Sequence, residues 1–277
     1  MRDPISLAHT IAAQLSTITG VVAVVIGGSH ARGDATPNSD IDLGIYYDPS
    51  EPPALDSLRA LAGQLDDQRR LAAATPFGQW GPWINGGAWL DVQGQRVDWL
   101  YRDLAHVEQC FTDCEAGRVS AFYQPGHPHA FYNHIYVGEV HLCKPLFERD
   151  GHLAALKART TPYLPALKAA LLHGLWEAGF SLENAHKPAA RGDVAHVAGY
   201  LYRAIAVMTQ ALFAVNERYC INEKGALRVV ETFARQPKDF AARAAALLAH
   251  VGDTSEALNT SLAACTSLVV ETQAVCG

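Results

Sequence analysis

No basic cluster interrupts this sequence, and only 18% of its 277 residues are charged. Binding to the phosphate backbone of DNA or long RNA needs clustered positive charge, and a net charge of −6 works against it. No uninterrupted apolar run reads as long enough to span a bilayer, so no membrane partner is expected. The first residues lack the charged-then-apolar order of a signal segment. Asp3-Pro4 ahead of Ile5, Ala8, Ile11, Ala12 and Leu15 reads instead as a capped amphipathic helix. The six cysteines contain no Cys-x-x-Cys pair, which argues against a structural zinc site. Free buried thiols fit a reducing compartment, and cytoplasm is the expected location. His127, His129, His134 and His141 cluster in sequence but lack metal-ligand spacing.

Nearly half the residues are hydrophobic, ample for one large or two ordinary domains. Val21-Val22-Ala23-Val24-Val25-Ile26 reads as a buried strand entering the turn Gly27-Gly28-Ser29. Glycine lets backbone approach a ligand closely, and a helix starting near Ser29 aims free N–H groups at an anion. A short loop later, Ser39-Asp40-Ile41-Asp42-Leu43-Gly44-Ile45 alternates. On a strand this places Asp40 and Asp42 on one face and the apolar residues on the other. Adjacent carboxylates repel unless a shared divalent cation stabilises both as ions. A phosphate cradle beside paired aspartates points to metal-assisted phosphoryl or nucleotidyl transfer. Either motif alone has an ordinary alternative, a plain turn or an exposed strand.

In the order strand, Gly28-Ser29 turn, Arg32, loop, Ser39-Asp40-Ile41-Asp42, these residues resemble the signature of the polymerase-β-type nucleotidyltransferase superfamily. That superfamily includes antibiotic nucleotidyltransferases, such as those acting on aminoglycosides and lincosamides, and the minimal nucleotidyltransferases of toxin–antitoxin pairs. The resemblance implies an α+β fold with a mixed sheet and flanking helices. It also implies two Mg2+ ions and ATP or another NTP as co-substrate. The chemistry then assigns Gly28 and Ser29 to the β- and γ-phosphates and Arg32 to their charge. Ser39 either orients Asp40 or caps the loop.

Two-metal chemistry needs a further carboxylate. Residues 88–92 and 96–101 alternate about Gln93-Gly94-Gln95 as a β-hairpin, and Asp98 sits between apolar neighbours, a costly place for an unpaired charge. Superfamily members carry a third aspartate in such a strand, so Asp40, Asp42 and Asp98 are the expected metal ligands and catalytic set. Asp91 is the rival. With a two-residue turn it pairs opposite Arg96, and a cross-strand salt bridge is its simpler explanation. No glutamate is placed convincingly as a separate base.

Residues 1–150 carry 18 acidic and 10 basic side chains, whereas 151–277 carry 10 and 12. The pattern reads as mixed α and β up to about residue 150 and as nearly all helical after it, so the expected division is a catalytic domain, 1–150, and an all-α bundle, 151–277. Alternation of Ile135, Val137, Val140 and Leu142 reads as a late strand over 134–142, and a long helix follows Gly151. Further helices are expected over 193–216, 224–235, 238–250 and 255–274. The polar interruption Asn216-Glu217-Arg218-Tyr219 through Asn222-Glu223-Lys224-Gly225 resembles a patch in the helical domain of antibiotic-type relatives. There a lysine reaches the triphosphate, which implies that role for Lys224. Its plainer explanation is a solvated inter-helix loop. Trp80 and Trp83 either line a ring pocket or simply bury their own loop. The resulting expectation is an enzyme acting on a nucleotide and a small-molecule acceptor. NMP transfer to a protein or RNA end, or a non-catalytic nucleotide sensor, are the alternatives.

Overall fold

The computed structural model describes residues 3–277. In chain order the elements are α1 (Pro4–Leu15), β1 (Val21–Ile26), α2 (Gly28–Arg32), β2 (Ile41–Tyr47), α3 (Leu55–Leu65), β3 (Gly87–Val92), β4 (Gln95–Asp103) and α4 (Leu104–Glu115). They continue with β5 (Ala121–Phe122), β6 (Phe131–Tyr132), α5 (His134–Leu142), β7 (Lys144–Glu148) and α6 (His152–Ala158). The last are α7 (Pro165–His173), α8 (Trp176–Ala190), α9 (Val194–Val215), α10 (Ala226–Val230), α11 (Phe240–Ala249) and α12 (Ser255–Cys276). Two compact units result. One takes residues up to 112 with 124–126 and 136–162; the other takes 113–123, 127–135 and 163–277.

The first unit is built on a five-stranded mixed sheet in the order β3-β4-β2-β1-β7. β1 runs antiparallel to β2 and β7, while β2 and β4 are parallel. The β3–β4 hairpin turns on Gln93 and Gly94, both at positive φ, which matches the right-handed twist of the strands. Alternation then sorts the faces. Ile41, Leu43 and Ile45 of β2 and Val97, Trp99 and Tyr101 of β4 are fully buried in one core with α1 and α3. The remaining positions of the same strands hold the carboxylates. α1 starts as expected, with Asp3 accepting from Ser6 N at 3.0 Å and Pro4 in the first turn.

The open edge of β3 is covered by residues 66–75, through Asp67 N to Asp91 O (2.6 Å) and Thr75 N to Gly87 O (2.8 Å). Asp66, fully buried, anchors this segment by accepting from Arg70 Nε at 2.8 Å, from Arg70 Nη2 at 2.6 Å and from Asp91 N at 3.1 Å. The Arg70 guanidinium leads in holding the Asp66 carboxyl well below the usual carboxylate range. α3 ends at Leu65 because Asp66 takes an extended backbone to make these contacts.

Residues 134–142, expected as a strand, form α5 instead. Positions 134–138 and 140 are all buried, so the apolar residues show no one-sided 3.6-residue stripe and their spacing imitates a strand. The strand of this region is β7. The long helix expected after Gly151 is the seven-residue α6, and the helix expected over 224–235 is reduced to α10.

In the second unit α8 and α12 pack on α9, whose Asp193 cap accepts from His196 N at 3.1 Å. By length and composition α9 could cross a membrane, in contrast to the sequence expectation, but 67% of its apolar window is buried within the structure. Val197, Leu201, Ile205, Met208 and Leu212 form its core stripe. All six cysteines are free thiols, and only Cys276 is not buried.

Candidate active site

The parallel pairing of β2 and β4 sets Asp42 opposite Asp98, and the antiparallel pairing of β4 and β3 sets Asp98 opposite Trp89. Side chains paired in register share a face, so Asp42, Asp98 and Trp89 form a row across three strands. One step down lies a second row: Asp40, just before β2, then Arg96, then Asp91. Arg96 Nε lies 2.6 Å from Asp40 Oδ1. The expected cross-strand pair of Asp91 with Arg96 is therefore not made. Asp91 accepts from Gln68 Nε2 at 3.1 Å and Arg70 Nη2 at 3.4 Å instead.

β1 feeds the glycine turn directly into this row. Gly27 N donates to Asp42 O at 2.8 Å, tying the turn to β2. Gly28 has a φ of +54°, and a Cβ placed on it would lie 1.7 Å from Asp42 Oδ2. Only glycine lets the chain pass this close to the carboxylate. α2 begins there, carries Ser29, and stops at Gly33, whose φ is +86°. Arg32 pairs with Asp34 (3.2 Å), and its charge opposes the rise of the Asp42 carboxyl. Ser39 is not turned to Asp40. Its Oγ accepts from Thr36 N at 2.9 Å while its own N donates to Thr36 O, so it caps the loop around Pro37.

The electrostatics of the row are those of crowded carboxylates. Burial, then Asp40, pushes the Asp42 carboxyl up. Burial, then Asp42 and Asp40, pushes Asp98 up to about 6, with Arg96 opposing. Among the described residues no three His, Cys, Asp or Glu side chains are gathered as a finished metal cluster; Asp40 is engaged by Arg96. Asp42 and Asp98 nonetheless fit a hard divalent cation: they are in-register oxygen donors whose shared charge is unfavourable without one. Asp40 is the further oxygen donor beside them.

Glu139 carries no signal in the sequence, because it lies on α5, whose apolar spacing imitates a strand. Its Oε2 and Oε1 accept from Arg102 Nε (2.7 Å) and Nη2 (2.8 Å), and Arg102 is 3% exposed. With both oxygens so held, Glu139 braces β4 and adds negative charge felt at Asp42. The tryptophan-rich loop divides. Trp83 is buried against His106 and Tyr136, while Trp80 stacks on Trp89 at 4.5 Å.

Lys224 belongs to the second unit, where its N donates to Asn222 Oδ1 at 2.8 Å. In the same patch Asn216 fastens the end of α9 to Arg235, and Glu217 pairs with Lys168 at 2.8 Å. Glu223, also unforeseen, accepts from the backbone N–H groups of His129 (3.0 Å) and Ala130 (2.9 Å). His129 bonds Tyr132 and His141 bonds Thr160, consistent with structural histidines.

No curated protein matches the sequence. Among solved structures, a nucleotidyltransferase-like protein from Exiguobacterium sibiricum 255-15 is 11% identical over 99% of this chain and 77% of its own, with a TM-score of 0.49. Residues 9–76 match the family model of the nucleotidyltransferase domain. That stretch contains Gly28, Ser29, Arg32, Ser39, Asp40 and Asp42, while Asp98 comes from beyond it through the pairing of β4 with β2. The fold is α+β, a mixed sheet with flanking helices, and its glycine turn with Asp40 and Asp42 falls within the residues that match the nucleotidyltransferase domain.

Proposed function

We propose that this protein is a magnesium-dependent nucleotidyltransferase that moves an NMP, AMP foremost, from an NTP to a hydroxyl of a small molecule. The observation that carries the reading is the in-register pair Asp42–Asp98 on parallel strands beside the Gly27-Gly28 turn. The backbone at Gly28 and Ser29, with the Ser29 hydroxyl, holds the β- and γ-phosphates, and Arg32 offsets their charge. Asp40, Asp42 and Asp98 would hold two Mg2+ ions, which when bound supply charge neutralisation and a more acidic acceptor hydroxyl. The acceptor oxygen bonds to the α-phosphorus, the bond from that phosphorus to the β-phosphate oxygen breaks, and pyrophosphate leaves. The hydroxyl proton passes to Asp98, the carboxylate on the outer side of the pair.

Pyrophosphate release from ATP, GTP, CTP and UTP, measured with Mg2+ and a panel of hydroxylated small molecules, tests the reading. The expected result is release that needs both Mg2+ and an acceptor. Tight ATP binding with no release from any acceptor would overturn it in favour of a nucleotide sensor. NMP found only on a co-purified protein or RNA end would move the acceptor to a macromolecule.

A further inference from the structure

Trp89 is 62% exposed on an edge strand, although Trp80 covers one face of its indole at 4.5 Å and 19°. An exposed indole gains nothing from the protein core, and two stacked ones present a rigid apolar plate to solvent. This plate stands directly beside Asp98, its cross-strand partner. Asp98 and Trp89 also line one open cleft of about 330 Å³ together with Asp40, Arg70, Asp91 and Arg96. On the row Asp42–Asp98–Trp89, the side of Asp98 that faces Gly28 is the nucleotide side of the proposed reaction. The other side is the plate.

The rim of the cleft narrows what can lie there. Its two cations are already neutralised: Arg96 by Asp40 at 2.6 Å, and Arg70 by Asp66 at 2.6 Å and Asp91 at 3.4 Å. Three carboxylates against two paired guanidinium groups leave no free positive charge for a phosphate on the ligand. Asp91 and Arg70 still have polar edges for hydroxyl or amino groups around a ring.

Resting on the nucleotidyl-transfer reading, we infer that Trp89, backed by Trp80, is the platform for the acceptor. The acceptor is a small ring-bearing alcohol without phosphate groups, whose ring lies on the indole while its hydroxyl reaches Asp98. Trp89 is then the specificity-determining residue of the acceptor side.

The test uses the full-length protein with MgATP and a defined panel: methyl and phenyl β-glucosides, glucosamine, adenosine, glycerol and glucose 6-phosphate. Ring-bearing, unphosphorylated compounds are expected to support pyrophosphate release, and to quench tryptophan fluorescence in the wild type but much less in Trp89→Ala. For an accepted compound, Trp89→Ala should raise the acceptor KM by about tenfold, the loss of one stacked ring. The KM for ATP should hold and kcat should change by less than about threefold, because the indole touches the ring and not the reacting atoms. Trp89→Phe should recover most of the acceptor KM. Release with an unchanged acceptor KM in Trp89→Ala, or release supported only by glycerol or glucose 6-phosphate, overturns the platform and leaves nucleotidyl transfer standing. No release from any compound overturns both. Because Trp89 is exposed, loss of folding is not expected, and an unchanged thermal midpoint confirms it.

Discussion

Asp42→Asn is expected to lower kcat for pyrophosphate release by about 10³ or more while leaving the fold intact. Asp42 sits at the meeting point of the site, opposite Asp98 in the sheet and against the backbone of Gly28. Replacing one anionic oxygen by an amide removes its capacity to share a cation with Asp98. The same change relieves the native state. Burial and the Asp40 charge already push the Asp42 carboxyl up, meaning that the fold disfavours its charged form. A neutral isostere should therefore unfold at the same temperature as the metal-free wild type, or higher. Steady-state pyrophosphate release together with thermal unfolding checks both halves. Loss of activity accompanied by a large loss of stability would mean that Asp42 serves the fold and not the chemistry.

Gly28→Ala is the second large expectation. The added methyl would stand 1.7 Å from Asp42 Oδ2 and 2.7 Å from Asp42 Cγ, on a backbone whose φ is +54°. The short Asp42 side chain must swing away, and the residue adopts a conformation that costs an L-amino acid about 1 kcal/mol. Activity is expected to fall by roughly 10², since a carboxylate displaced by an ångström no longer faces Asp98. Gly33→Ala is the control: its φ is +86°, yet nothing lies within 4 Å of an added Cβ. It should show a similar strain cost and keep its activity. Equal activity losses in the two variants would remove the special place of Gly28.

What the sequence made legible follows from which signals are local. The two-glycine turn, the alternation of Asp40 and Asp42 and the hairpin about Gln93-Gly94 are each set by a few adjacent residues, and all three lie where their spacing predicts. Asp98 was legible because a carboxylate among apolar strand neighbours is conspicuous. Partners across the sheet were not. Arg96 could be placed opposite Asp91 from the turn, but its ion pair with Asp40 depends on the parallel neighbour β2, which no local pattern announces. Glu139 was hidden by the burial of α5 on nearly all sides, which erased its helical period. Trp89 is an alternating strand residue in sequence. Only the register that sets it opposite Asp98, and the loop that sets Trp80 against it, mark it as more than that.

The Asp42–Asp98 face is expected to hold a divalent cation, which Mn2+ titration followed by EPR measures. The wild type is expected to bind Mn2+, and the Asp42→Asn, Asp98→Asn double variant to lose that binding. Metal must displace the Asp98 proton, whose pKa is pushed up to about 6 by burial and its neighbouring carboxylates, so wild-type binding should weaken as pH falls through that value. Equal Mn2+ binding by wild type and double variant, or none by the wild type at pH above that value, would contradict the account.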